Sequence, residues 1–442
     1  MPIMKQIMKL SVSCNFDEKF LEEIKGLPVG ELYGKVTEDF VGGGRESFFL
    51  PDVNKKRVES FVGKAHKQGI AFNYLLNAPC LGNTEYTRKG QKEIRKILDW
   101  VSEIGCDSVT VAHIFLLKIV KEKYPNLTVT VSSALLADSI QKLKFWEEEG
   151  ADNIVIFGAG FIREFAKLKA MREAVTCDLT LIANTFCMQD CPIAVTHGNV
   201  VAHGSQRGKR KNTLPIDYPM LFCIKHRLQE PVNLIRANWI RPEDLHHYED
   251  IGYTNFKLVE RNTPTPLLAR RVRAYAERRF DGNFFDLILP FNYAEEDYKE
   301  NFSQIHTRKR AIKYFFHPRK INLFRFRKFM KLSEKMGLLH TSSNKKNLYL
   351  DNRKLDGFID KFLKVSCINT DCDKCGYCKR VAKSTIEIDE TYREEMLEQY
   401  NEIFRDMHNG SLWGRVTKKD ITSFLLEVKE RAICLVKSKS RK

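Results

Sequence analysis

Residues 70–113 read "IAFNYLLNAPCLGNTEYTRKGQKEIRKILDWVSEIGCDSVTVAH". An apolar, β-rich run opens the stretch (70–78) and a second one closes it (108–113). The long segment between them, 87–105, has the apolar spacing of an amphipathic helix. Strand, helix, strand in that order is the signature of a parallel crossover unit. The same alternation extends from residue 8 to about 285, with further strands expected at 9–14, 30–36, 127–133, 153–158, 179–185 and 255–260. Eight strands with helices between most of them predict an α/β fold, a TIM-like (β/α)8 barrel. A doubly wound sheet is the alternative. In a barrel the chemistry sits at the C-terminal strand ends. Those ends carry Cys14, Asn77 and Cys80, His113, Ser132 and Ser133, Asn184 and Cys187, and Lys257 with Arg261.

Beyond the barrel the composition changes. Residues 1–290 are read as the barrel with its ligand-binding loops, and 291–442 as a smaller basic C-terminal region. The stretch 306–331, "HTRKRAIKYFFHPRKINLFRFRKFMK", holds ten Lys/Arg and no acid, with Phe and Tyr interleaved. Such a pattern predicts phosphate neutralisation with aromatics stacking on exposed bases, and so an RNA partner. A solvated face whose aromatics belong to the core is the plainer reading. The formal net charge of +17 fits either.

No run approaches the roughly 20 apolar residues of a membrane span, and the first residues lack the apolar core of a signal peptide. A soluble cytoplasmic protein is expected, and its twelve cysteines argue for metal rather than disulfides. Seven of them form two groups. In "CINTDCDKCGYC", Cys367, Cys372, Cys375 and Cys378 follow a C-x4-C-x2-C-x2-C pattern. Successive C-x2-C steps let one loop wrap an iron–sulfur cube; structural zinc is the alternative. The second group is Cys187 and Cys191, one helical turn apart, with Cys223 after a loop. Three thiolates can hold a cluster and leave one iron open to substrate. Cys80, Cys14, His197, His203 and His246 are available as a fourth ligand, with Cys80 preferred.

Other features have weaker signatures. "VGGGR" (41–45) is expected to cradle an anion on the amides of Gly43 and Gly44, with Arg45 pairing to it and Asn77 nearby. Lys257 and Arg261 are expected to hold a carboxylate or phosphate, and His197 and His203 to donate protons or ligate. "FGAGFIR" (157–163) lacks the third glycine of a dinucleotide turn. No G-x-S-x-G or H-E-x-x-H is present to support a standard protease.

Taken in order, "ELYGK", "FVGGGRESFFLP", "FNYLLNAPCLGNTEYT", "CMQDCP", "DYPMLFCIKHRLQEP", "IRPEDLHHYEDIGYTNFKLVER" and "RRVRAYAERRFDG" resemble the peptidase U32 family. The likeness is to its shorter, collagenase-like branch. It implies a TIM-like barrel, a 4Fe–4S site to which Cys187, Cys191 and Cys223 correspond, and oxygen-independent hydroxylation of RNA or a small metabolite. One or two such clusters are therefore expected, with a redox donor. A U32-type peptide hydrolase and a non-catalytic RNA-binding protein are the alternatives. The chain departs from the family at "KLVER", where Glu260 stands in a glycine position.

Overall fold

A computed structural model of the chain describes residues 8–157, 161–208, 214–289, 308–335, 347–368, 370–426 and 429. Eight short parallel strands form a closed barrel in sequence order: β1 (Lys9–Ser13), β2 (Val29–Gly34), β3 (Ala71–Leu76), β4 (Ser108–Val111), β5 (Thr128–Val131), β6 (Asn153–Ile156), β7 (Asp178–Ile182) and β8 (Asn255–Leu258). All eight fall within two residues of the starts read from the sequence. Closure decides against the doubly wound sheet. β1 pairs with both β2 and β8, Lys9 lying opposite Asn255 and Val12 opposite Leu258, so neither terminal strand is an edge.

The helix Arg88–Glu103 shows why the crossovers pack as they do. Thr87 caps it by accepting from Gly90 N, and Ile94, Ile97, Leu98 and Val101 make one buried stripe at i, i+3, i+4 and i+7. Gly90 is required by space: a Cβ there would stand 1.8 Å from the Thr84 carbonyl oxygen. Gly90→Ala should therefore cost about 1–3 kcal/mol by overpacking. A urea midpoint within error of the parent would refute this.

Inside the barrel the floor beneath the mouth is polar rather than aliphatic. Glu31 accepts from Ser11 Oγ, Asn73 Nδ2 and Ser108 Oγ, and Asn73 Oδ1 accepts from Thr110 Oγ1 at 2.8 Å. These donors meet the lone pairs of a partly buried carboxylate.

The boundary placed between 290 and 291 lies outside the described residues, as do 306 and 307. The C-terminal residues that are described pack onto the barrel. β9 (Leu348–Leu350) and β10 (Ile386–Ile388) form an antiparallel pair, and Phe284 N donates to Leu350 O. Buried Arg241 reaches Asn352 Oδ1, Leu355 O and Asp356 Oδ1. Of the aromatics in 306–331, four follow the plainer expectation of a core role, while Phe316 is exposed. Tyr314, Phe315, Phe326 and Phe329 are core, with Phe48 edge-on to Tyr314 and Phe315 at 5.6 and 4.7 Å. Arg325 is paired with Asp406 and Asp420, and Lys328 with Glu402. Apolar burial outweighs base stacking for rings that a helix can turn inward, and the cations answer the acidic helix Glu390–His408. Among the described residues no helix is long and apolar enough to cross a membrane.

Candidate functional site at the barrel mouth

The C-terminal strand ends surround a cavity of about 250 Å³. Its lining includes Arg45, Gly44 and Asn77 on one side, Lys257, Glu260 and Arg261 on another, and Cys187, Cys191 and His197 on a third. Residues far apart in the sequence thus converge as the barrel geometry demands. Gly43, His203, Cys80 and Cys223 do not line it.

Lys257, next to last in β8, holds its ammonium 3.8 Å from the centre of the Tyr33 ring, a cation–π contact that partly replaces lost water. Burial lowers its pKa to about 8, against the pull of Glu31. Arg261 is also buried, and burial lowers it to about 10. Its Nη1 finds no hydrogen-bond partner.

The anion cradle expected at 41–45 needs correction. Gly42 N donates to Asp39 Oδ1, Gly43 N to Ser205 Oγ and Gly44 N to Asn77 Oδ1, at 2.6, 2.7 and 3.2 Å. The amides are already used by the protein, because the loop is tied down rather than open. Arg45 is committed as well: its Nη2 reaches both carboxylate oxygens of Glu260, at 2.6 and 2.5 Å. Glu260 adopts φ +92°, the left-handed region that a glycine would occupy without penalty. A glutamate there carries backbone strain of about 1–2 kcal/mol.

The thiols approach from two elements. Cys187 and Cys191 lie in the loop after β7, and Cys223 is on the helix Tyr218–Gln229, capped by Asp217. Cys223 donates to Cys191, which lowers the Cys191 thiol to about 6 and pushes the Cys223 thiol up; burial raises Cys187. All three face Arg227, one turn beyond Cys223. That guanidinium is buried, stacks on Phe186 at 4.6 Å and donates from Nη2 to the Phe186 carbonyl. Its Nε and Nη1 have no hydrogen-bond partner. On the cavity side of the same thiols, His197 Nε2 meets Asp217 Oδ2 at 3.0 Å. His203 closes the helix Ala194–His203 away from the cavity. The Cys80 carbonyl accepts from Gln206 Nε2, Cys14 is buried and accepts from Phe16 N, and His246 lies beside His247.

Cys367, Cys372, Cys375 and Cys378 surround a second, smaller cavity together with Arg163, Arg236 and Lys361. Lys361 Nζ donates to Cys375 Sγ at 2.8 Å and holds that thiol below its ordinary value, while burial pushes Cys367 up to about 11. Glu164 accepts from Ser366 Oγ and Cys367 N, fixing the start of the loop. Gln189 lines this cavity too, so the loop that presents Cys187 and Cys191 to the barrel mouth turns its other side to the tetracysteine. Among the described residues no three acid, thiol or imidazole groups are placed to hold a single metal ion.

Residues 48–205 match the family model of peptidase family U32. The U32 resemblance is borne out. The matched span contains Cys187 and Cys191 and ends before Cys223. A curated relative, the "Uncharacterized protease MJ1657" of Methanocaldococcus jannaschii, is 28% identical over 352 residues, covering 79% of this chain and 87% of its own. A solved structure, that of the U32 peptidase Mk0906, is 21% identical with a TM-score of 0.43, covering 57% of this chain and 92% of that one.

Several residues of this barrel mouth were not read from the sequence: Tyr33, Asp217 and Arg227. Arg227 carried a signal, since it lies four residues after Cys223 and shares its helix face. Tyr33 and Asp217 carried none, because their partners Lys257 and His197 are distant in the chain.

Proposed function

We propose that this chain is an iron–sulfur enzyme on a U32-type barrel, carrying out an oxygen-independent redox or hydroxylation-type reaction. One observation carries the reading: three thiols from two elements converge on one buried guanidinium, that of Arg227, beside a substrate-sized cavity. A buried cation of that kind costs several kcal/mol unless a negative group faces it. Three thiolates and a cluster's sulfides are such a group, so the donor set fits. Cys187, Cys191 and Cys223 would hold it, with Cys80 the nearest proposal for a fourth ligand. When bound, an iron with an open position supplies Lewis acidity and one-electron chemistry. Arg227 neutralises the thiolates, His197 holds a proton against Asp217, and Lys257 with Arg261 orient a charged substrate. The tetracysteine would hold a second cluster, with structural zinc the alternative, and Lys361, Arg163 and Arg236 line the same cavity.

The test is iron, sulfide and zinc content of protein purified without oxygen. About eight irons and eight sulfides per chain are expected, falling to about four in Cys191→Ala and in Arg227→Met. Zinc alone, or iron unchanged in both variants, would overturn the barrel site.

A second reading is favoured by one arrangement. Cys191, whose thiol the neighbouring Cys223 holds below its ordinary value, lies within the electrostatic reach of a His197–Asp217 pair, the order of groups in a thiol hydrolase. It agrees with the description of the Methanocaldococcus jannaschii relative as a protease. Casein hydrolysis that persists after chelation and stops with iodoacetamide would favour it.

A further inference from the structure

The mouth cavity has an unusual charge balance. Three cations line it, Arg45, Lys257 and Arg261, against one carboxylate, Glu260. Glu260 does not answer them equally. Both its oxygens are taken by Arg45, and it reaches them from a left-handed backbone conformation that disfavours any side chain. Arg261, next in the chain, lines the same cavity, and its buried Nη1 has no hydrogen-bond partner. A buried guanidinium nitrogen without an acceptor is costly, and an oxyanion entering the cavity would supply the acceptor. Around it stand hydroxyl and amide groups, Thr110, Ser132, Ser133 and Asn77, that can bind the uncharged remainder of a small molecule. At about 250 Å³ the space suits a small organic group.

We propose that the cavity binds a small organic molecule through one oxyanion group on Arg261 and Lys257, and that Glu260, by holding Arg45, is the specificity residue that excludes a second one. This rests on reading the barrel mouth as the substrate site, and it names that site's ligand class. The oxyanion is a carboxylate or a phosphate. In either case a dianionic ligand with two separated charged ends would meet the Glu260 carboxylate where it needs a cation.

Calorimetric titration of the full chain tests this with three probes: butyrate, succinate and inorganic phosphate. Butyrate and succinate share a four-carbon skeleton and differ by one carboxylate. Wild type should bind butyrate at least tenfold more tightly than succinate. Arg261→Gln should lose at least tenfold for whichever of butyrate and phosphate binds more tightly, and that preference identifies the oxyanion. Glu260→Gln, and Glu260→Gly whose backbone suits φ +92°, should gain at least tenfold for succinate and nothing for butyrate. Arg261→Lys, which keeps the charge, separates lost binding from lost folding. Absence of binding by all three probes, indifference to Arg261→Gln, or equal effects of the Glu260 changes on butyrate and succinate would overturn the proposal. The titrations are made both on protein as isolated without oxygen and after iron removal. Binding therefore stands or falls separately from the cluster reading, which metal content decides.

Discussion

Asp39→Ala is expected to lower stability by about 3–5 kcal/mol, the range for removing one partner of a buried ion pair. Lys35 has no exposed side-chain surface and places Nζ 2.9 Å from Asp39 Oδ2. Burial already lowers the Lys35 pKa, and Asp39 is the main group opposing that shift. The same carboxylate accepts from Gly42 N and the hydroxyl of Tyr74. Removing it strands a charge and two donors at once, and frees the loop that carries Arg45 to Glu260. Urea denaturation measures the loss. Replacing both partners, Lys35→Met with Asp39→Leu, should recover most of it, because an apolar pair leaves nothing unsatisfied. A single variant less than about 1 kcal/mol below wild type would show that Lys35 is solvated by another route.

Lys257→Met should act in the opposite direction. The ammonium has a pKa lowered from 10.5 to about 8 by burial, with Glu31 pulling it up and Arg261 pushing it down. Its charged form is therefore disfavoured in the folded state. Between about pH 8 and 10.5 the unfolded chain binds more protons than the folded one, so wild-type stability rises with pH across that window. Below pH 8 the penalty is present in full, about 3 kcal/mol for a shift of this size. Methionine removes the charge and keeps a contact with the Tyr33 ring. The variant should be about 3 kcal/mol more stable than wild type at pH 7, and the difference should vanish above pH 10.5. Equal stability at pH 7 would mean that the folded protein holds the charge without cost. The expected trade-off is weaker binding of an oxyanion, since stability and a poised site pull apart here.

Both effects depend on contacts that the sequence reading did not contain, while the scaffold that creates them was plain. The strands were legible because each is a short run of β-branched and apolar residues, and the helices because an apolar stripe recurs at 3.6 residues. Those are local patterns. The tetracysteine and the Cys187–Cys191 pair were legible for the same reason, each lying within one loop. Arg45 was read as an anion ligand and the glycine amides as its cradle, and both readings failed on long-range partners. Glu260 is 215 residues from Arg45, and Ser205 is 162 from Gly43. For the aromatics of 306–331 the sequence left two readings open, since whether a ring turns outward like Phe316 or packs on Phe48 depends on what the helix packs against.

The amino-acid sequence by itself determined the eightfold alternation, the places where thiols gather and the strand ends at which chemistry is presented. Only the tertiary structure decided how the charges at those ends are shared. Closing the barrel brings Arg45, Glu260, Lys257 and Arg261 into one cavity, where three cations share a single carboxylate. In that setting a single carboxylate determines which guanidinium is left over. No local pattern encodes that outcome, because pairing energies in a low-dielectric cavity depend on distances set by every strand of the barrel.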